Sequence, residues 1–460
     1  VQPVLTVAEM RAADARALAS TTQDQLVRRA GWAVAAEALS MLGGAYGRRV
    51  VVVAGKGNNG NDGRVAAAVL RRRGAAVAIL DAADLPARID PCDLVIDAAY
   101  GTGFAGTYRA PDLAPGARVL AVDIPSGVHG DTGAQSGRAL AAERTVTLAA
   151  LKPGLLMGEG AELAGTVSVA DIGVPTWPAA IGLVDDDDLA ALPGRARAAH
   201  KWSSAVAVVA GSPGMEGAAV LCARGASRAG AGMVRLGVPG GGASPWPLEA
   251  VRMALPAAGW SGPVLAALAR CRALVIGPGL GRHEATAAEI RTVLAGATVP
   301  VVADADALAA LGDPDDARRL IGASDRPVVL TPHDGEYHLL AGQEPGPDRV
   351  GAARRLAEAT GAVVLLKGPT TAVADPQARR QPAVLLATAG SPALATAGSG
   401  DVLAGMIGAF LARGADPLLA AGLAAHVHGR AAGAGRAEGL VAPDLPDLVA
   451  DWLSAALGRG

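Results

Sequence analysis

Carboxamides and a carboxylate crowd the turn in "AGKGNNGNDG", where Asn58, Asn59, Asn61 and Asp62 follow a pure β-branched run. Gly55, Gly57 and Gly60 satisfy G-x-G-x-x-G literally, and Asp81 follows at the spacing of a ribose-binding acid. A dinucleotide fingerprint needs small, uncharged residues where the backbone meets a pyrophosphate, yet Asp62 stands at the helix start. A carboxylate about 4 Å from a phosphate costs about 4 kcal/mol at an effective dielectric of about 20. The helix N-terminus returns only about 0.3–1 kcal/mol. Repulsion wins, and the turn suits hydroxyls, an amide or a hard cation.

Two more carboxylates stand at strand ends. "DLVIDAAYGTGFAGT" carries Asp97 before the glycine-rich loop 101–107, and "VLAVDIPSGVHGDTG" carries Asp123 before Ile-Pro-Ser-Gly. The carboxyl ends of parallel strands line the ligand crevice of an open sheet. Asn and Ser oxygens with a carboxylate make a hard-oxygen set for an alkali or alkaline-earth cation. A remaining carboxylate can serve as acid or base. Any one of these aspartates could instead cap the next helix; three caps on one edge is a weaker reading.

The second half holds a different chemistry. In "ATAGSGDVLAGMIGAFLARG", glycine-rich amides at 397–400 lead into Asp401 and a long apolar helix. Such amides at a helix N-terminus make an anion hole. An aspartate beside it can take a proton from a hydroxyl facing that anion, a phosphoryl-transfer arrangement. Lys367-Gly368 supplies a cation and close backbone approach, with Thr370 and Thr371 as hydroxyl donors. His333 in "TPHDGE" reads as a substrate contact beside Glu336, or as a satisfied loop histidine. Lysine is scarce: among 41 basic residues only Lys56, Lys152, Lys201 and Lys367 are lysine. In so arginine-biased a chain, the survivors are candidates for positions needing a compact ammonium.

The elements that must position these groups alternate. Thr6-x-x-Glu9 reads as a capping box opening a helix over 6–19, and a second helix spans 22–42. Strands follow at 49–54, 76–80, 93–97, 118–122 and 145–149, with a helix at 62–73. The rhythm breaks at "LVDDDDLAALPGRARAAH", whose aspartates 185–188 read as a solvated run before a short helix. It restarts with strands at 205–210, 233–238, 273–276, 299–303, 327–330, 362–366 and 371–374. Helices are expected at 215–229, 284–295, 348–359 and from 401 onward. The fold class is α/β, with two doubly wound domains divided near 190.

A formal charge of −2 lacks the basic surplus of a nucleic-acid binder. No apolar run of membrane-spanning length is uninterrupted, and the first residues lack the apolar region of a secretion signal. Cys92, Cys222 and Cys271 have no C-x-x-C spacing, so a reducing, cytoplasmic setting is expected. The seven histidines offer no transition-metal spacing.

Taken together, "AGKGNNGNDG", "IDAAYGTGFAG", "AVDIPSGVHGDTG" and "LAALKPGLLMG" resemble the NAD(P)H-hydrate epimerase domain across residues 1–180. That family interconverts the R and S epimers of a hydrated nicotinamide ring. The resemblance implies a Rossmann-like three-layer sandwich over 1–190. It implies substrate contacts at Asn58, Asn59, Gly60, Asn61, Asp62, Gly101, Thr102, Gly103, Phe104, Ala105, Gly106, Thr107 and Asp123. Asp123 would be the acid/base, and Asn59, Asp97 and Ser126 would hold potassium. Asn61 departs from the glycine common there.

Residues 200–455 resemble the ribokinase-like ADP- or ATP-dependent NAD(P)H-hydrate dehydratases, which implies a ribokinase-like domain over 191–460. In that family the nucleotide phosphorylates the ring hydroxyl of the S hydrate, and phosphate loss restores the nicotinamide. Lys367, Gly368, Pro369, Thr370, Thr371 and Gly400 would contact ADP or ATP. Ala219, Gly279, His333 and Asp401 would contact the hydrate, with Asp401 as base and Mg²⁺ accompanying the nucleotide. Trp202 and Ser391 stand where the family usually has Gly and Asn. The expected partners are NAD(P)H hydrate and adenine nucleotide, without nucleic acid or membrane, in a homo-oligomer. The competing reading is a ribokinase-like vitamin or sugar kinase fused to a non-catalytic dinucleotide-binding module.

Overall fold

The computed structural model describes residues 1–241, 246–377 and 381–458. The chain divides into two compact units, Gln2–Ile181 and Gly182 onward, the second also taking in Val1. The divide precedes the aspartate run instead of following it at residue 190. Asp185 caps a short 3-10 helix, Asp186–Ala191, and the Asp186 carboxylate meets His426 Nε2 and Arg430 at 2.7 Å each. Both partners lie in the helix Pro417–Ala434. Asp186 and Asp187 are exposed, as a solvated run before a short helix should be, and Asp186 is also tied to the second unit's own helix. No helix among the described residues is long and apolar enough to cross a membrane.

In the first unit, parallel strands form a 6-stranded sheet in the order Ala76–Asp81, Arg49–Ala54, Leu94–Ala98, Arg118–Val122, Arg144–Leu148, Thr166–Ala170. The interior strands are continuous Val/Ile/Leu runs because both faces are covered. The helices Gln23–Leu42 and Asn58–Arg72 cover one face, and connections carrying Ile89, Tyr108 and Leu140 cover the other. The capping box at Thr6 and Glu9 is present, and Thr22 with Gln25 makes a second. Chain order reverses beside Arg49–Ala54, which opens a crevice toward Leu94–Ala98 at the carboxyl ends.

The helix expected at 62–73 starts at Asn58. Its early glycines serve packing: a Cβ on Gly60 would lie 1.9 Å from Gly55 O, and one on Gly63 would lie 2.6 Å from Ala98 Cβ. The glycine spacing that mimics a phosphate fingerprint thus lets the helix seat against its own strand and neighbour.

In the second unit the sheet runs Val384–Ala387, Thr371–Ala374, Val363–Leu366, Val328–Leu330, Val301–Ala303, Ala273–Ile276, Ala205–Val209, Met233–Gly237, Ala250–Met253. It is parallel except at Thr371–Ala374, which runs against both neighbours. Its core helix starts two residues before the expected 401, as Ser399–Ala412, and is buried from Val402 onward. Short elements such as Ser261–Leu268, Pro314–Ile321 and Val384–Ala387 escaped the sequence reading, being too brief to show a period.

The core helix packs against Glu216–Arg228 through glycine at two levels. A Cβ on Gly225 would lie 2.4 Å from Val402 O, and one on Gly405 would lie 2.1 Å from Cys222 O. This backbone-to-backbone approach fixes where the helix N-terminus, and so Asp401, can stand. Gly225→Ala should lower the unfolding free energy of the second unit by about 1–3 kcal/mol, the usual cost of overpacking. Urea denaturation measures it; an unchanged midpoint would mean the helices separate without cost.

Candidate active sites

The first unit's crevice is a cavity of about 540 Å³. Asn58, Asn59 and Asp62 enter it from the helix, Gly101 to Ala105 from the loop after Leu94–Ala98, and Asp123 from the end of Arg118–Val122. Gly60, Asn61, Gly106 and Thr107, also expected as contacts, do not line it. Gly60 is packed against Gly55, Asn61 faces outward, and Gly106 O accepts a hydrogen bond from Ser136 Oγ (2.6 Å) as the loop turns away. The exposed Asn61 therefore leaves the cavity wall unchanged. Met10, Arg11 and Asp14 complete the cavity from the helix Val7–Ala17. The sequence gave the helix but not which face would meet the crevice.

Asp123 is held tightly. Its backbone is left-handed (φ 69°), a conformation Asp tolerates better than most residues. Its carboxylate pairs with Lys152, a side chain with no solvent exposure. The Lys152 ammonium also donates to Thr147 Oγ1 (2.9 Å) and Leu148 O (2.8 Å), so all its protons are placed. The other carboxylate oxygen faces Gly101, where a Cβ would stand 3.3 Å away. Glycine there keeps that oxygen open.

Asp97 and Ser126 lie beneath the cavity. Asp97 is fully buried and accepts from Ser126 Oγ (2.7 Å) and Ser126 N (2.9 Å). Burial pushes the Asp97 carboxyl up, opposed by those hydrogen bonds. Asn59 has both amide atoms buried with no partner. Asp62 is 3 % exposed yet lines the cavity, and burial, followed by the Asp123 charge, pushes it up to about 8.

In the second unit the expected groups gather on one sheet edge. Gly398 caps the core helix with φ 92°, a left-handed position that suits glycine. Asp401 follows in the first turn. Burial, and after it Asp304, push its carboxyl up to about 7 against the opposing charge of Lys367. The Lys367 ammonium is 2.6 Å from Asp304 Oδ1 and 3.9 Å from Glu336 Oε2, and a Cβ on Gly400 would lie 3.5 Å from it. Burial works to lower the Lys367 value; Asp304, Glu336 and Asp401 outweigh it and hold it above the ordinary lysine range.

Asp304 and Asp306 flank Ala305, whose φ of 50° is uncommon for alanine, and this turn aims both carboxylates at the edge. Asp306 accepts from Gly281 N (2.8 Å) and Arg282 Nε (3.0 Å), fixing the "GPGLG" loop. Arg349 clamps the Lys367–Gly368 turn by donating to Lys367 O and pairing with Asp334 at 2.9 Å. His333 caps the helix Asp334–Ala341, its Nδ1 accepting from Gly335 N (3.0 Å) and Glu336 N (3.3 Å), while much of its ring stays exposed. Both readings of that histidine fit. Ala219 and Gly279 are buried beside the Gly211 turn, and Thr370 is buried at the clamped turn. Lys201 is exposed, whereas Lys152 and Lys367 hold ion pairs and Lys56 lines the first cavity. Asp304, Asp306 and Arg349 were not among the expected site residues.

Comparison with known proteins follows the same division. Residues 206–453 match the family model described as NAD(P)H-hydrate dehydratase, and residues 23–88 and 80–154 match the YjeF-related protein N-terminus. The chain is 41% identical over 438 residues to the bifunctional NAD(P)H-hydrate repair enzyme of Mycobacterium tuberculosis, covering 88% of each. To the enzyme of that description from Salinibacter ruber it is 36% identical over 542 residues, covering 100% of this chain and 97% of that one. A ribokinase-like superfamily protein of Enterococcus faecalis superposes with a TM-score of 0.52 at 20% identity, over 60% of this chain and 96% of that one, which shows the fold. With two family models on its two units and relatives matched almost end to end, the chain belongs to the bifunctional NAD(P)H-hydrate repair enzymes.

Proposed function

We propose that the two sites act in sequence on hydrated nicotinamide cofactor. The first cavity interconverts the R and S epimers, with Asp123 as base. The second edge phosphorylates the S hydroxyl from ADP or ATP, with Asp401 as base, and loss of phosphate regenerates NAD(P)H. The observation that carries this is Asp401, a carboxyl pushed up to about 7, in the first turn of a helix whose glycine-rich N-terminus adjoins the Lys367 ammonium. Neutral-range acidity is what a general base working near pH 7 requires.

The orphaned Asn59 amide, the Asp97 carboxylate and the Ser126 hydroxyl fit a potassium ion, a hard cation that prefers oxygen ligands. Bound there, it would supply a fixed positive charge beneath the substrate. Among the described residues no three His, Cys, Asp or Glu side chains cluster as a metal cage. Mg²⁺ would be carried mainly by the nucleotide phosphates.

The test supplies a mixture of R and S NADH hydrate with Mg²⁺, K⁺ and either ADP or ATP, resolving both epimers while following reduced-nicotinamide absorbance. Return of absorbance with loss of both epimers is expected. A stable phosphorylated product would instead mark a kinase. Asp401→Asn should cut dehydration by about 10²–10⁴-fold, the typical share of a general base, and leave epimerisation intact. Because the base form of Asp401 accumulates as pH rises through about 7, dehydration should climb across that region and then level off. A flat profile from pH 5 to 9 would remove Asp401 from the base role. Asp123→Asn should abolish enzymatic epimerisation, measured without nucleotide, while the S form is still dehydrated.

A further inference from the structure

Asp62 is an unusual carboxyl. It is 3 % exposed, it lines the first cavity, and it makes no hydrogen bond or ion pair among the described residues. Buried polar groups are almost always partnered, and an orphan in a cleft points to a partner that arrives with the substrate. Asp123, two strands away in the sheet, faces the same cavity but has Lys152 against it. The remaining charged groups around the cavity are Asp14 and Arg11 from the first helix and Lys56 from the turn before Asn58.

We propose that Asp62 is the proton donor of the epimerisation, giving its carboxyl proton to the ring hydroxyl so that it departs as water. This rests on the first unit being the epimerase. Hydration of an enamine places the hydroxyl on the carbon bonded to the ring nitrogen. Once that oxygen is protonated, the C–O bond breaks with its electron pair staying on oxygen. The nitrogen lone pair closes a C=N⁺ bond, and the carbon becomes planar. Water adds to the opposite face and gives a proton to the Asp123 carboxylate, while the nitrogen recovers its lone pair. The cycle ends with Asp62 ionised and Asp123 protonated, the starting state for the reverse conversion. No oxidant or reductant is needed.

The environments assign the two roles. Asp62, pushed up to about 8 by burial and by Asp123, enters the cycle neutral at pH 7. Two carboxyls in one pocket with different surroundings form an acid/base pair. Asp123 is held by Lys152, whereas Asp62 has no such partner, so the two carboxyls are placed differently for accepting and for donating a proton.

The experiment incubates the full-length protein with one purified epimer of NADH hydrate in heavy-oxygen water, without nucleotide, and weighs the product epimer by mass spectrometry. The expected result is one solvent oxygen in every product molecule formed above the spontaneous rate. Retention of the original oxygen would mean that the C–N bond opens instead, and would overturn the proposal alone. Failure of the unmodified protein to accelerate epimerisation would overturn both the proposal and the epimerase assignment beneath it. Asp62→Asn, which preserves shape but carries no acidic proton, should lower kcat for epimerisation by about 10²–10⁴-fold with KM little changed. A variant keeping wild-type kcat overturns the proposal. Should that variant not fold, the isotope result on the unmodified protein still decides.

Discussion

Each half of this enzyme depends on one ammonium held against an aspartate at the end of a parallel strand. In the first unit Lys152 is sealed from solvent and pairs with Asp123; in the second, Lys367 is held by Asp304. Taking such charges out of water is costly, and a pair of this kind is a poor source of net stability compared with an apolar core. Its effect is positional. Removing one partner strands the other as an uncompensated buried charge, so the two side chains constrain each other. Arginine, abundant elsewhere in the chain, has a larger planar head that would not enter the socket formed by Asp123, Thr147 Oγ1 and Leu148 O.

Close backbone approach delivers the other reacting groups to these anchors. Gly60 and Gly63 let the Asn58–Arg72 helix settle onto its strands, which lowers Asp62 into the crevice with no protein partner. Gly225 and Gly405 do the same for the core helix that carries Asp401. Left-handed backbone at Asp123 and Ala305 turns the strand ends so that Asp123, Asp304 and Asp306 meet their partners. The two carboxyls with values displaced into the neutral range, Asp62 and Asp401, are both buried ones that feel a neighbouring aspartate. Burial and like charge raise both, and at Asp401 the Lys367 ammonium opposes them.

Much of this was legible in the sequence, for physical reasons. Continuous Val/Ile/Leu runs declare buried parallel strands, and the structure places Arg49–Ala54, Arg118–Val122 and Ala273–Ile276 at the expected residues. The scarcity of lysine singled out Lys152 and Lys367 before any contact was known. What the pattern could not carry was orientation. Nothing in "VAEMRAADARA" says that Arg11 and Asp14 face the crevice, and glycines at 55, 57 and 60 look alike whether they admit a phosphate or a helix. Asp304 became visible as a site residue only once the strand order placed it beside Lys367. The solvated aspartate run at 185–188 was legible, but the distant partners of Asp186, His426 and Arg430, were not.

The claim that a paired lysine constrains each site is tested most directly by a double-mutant cycle on the first pair. Lys152→Met, Asp123→Asn and the double variant are compared in the full chain by hydrogen exchange of the strand Arg144–Leu148. Lys152→Met, which strands the carboxylate, is expected to cost about 3–5 kcal/mol of protection, and the double variant is expected to recover a large part of it. Additive losses would contradict the account, because they would show that Lys152 and Asp123 do not depend on one another.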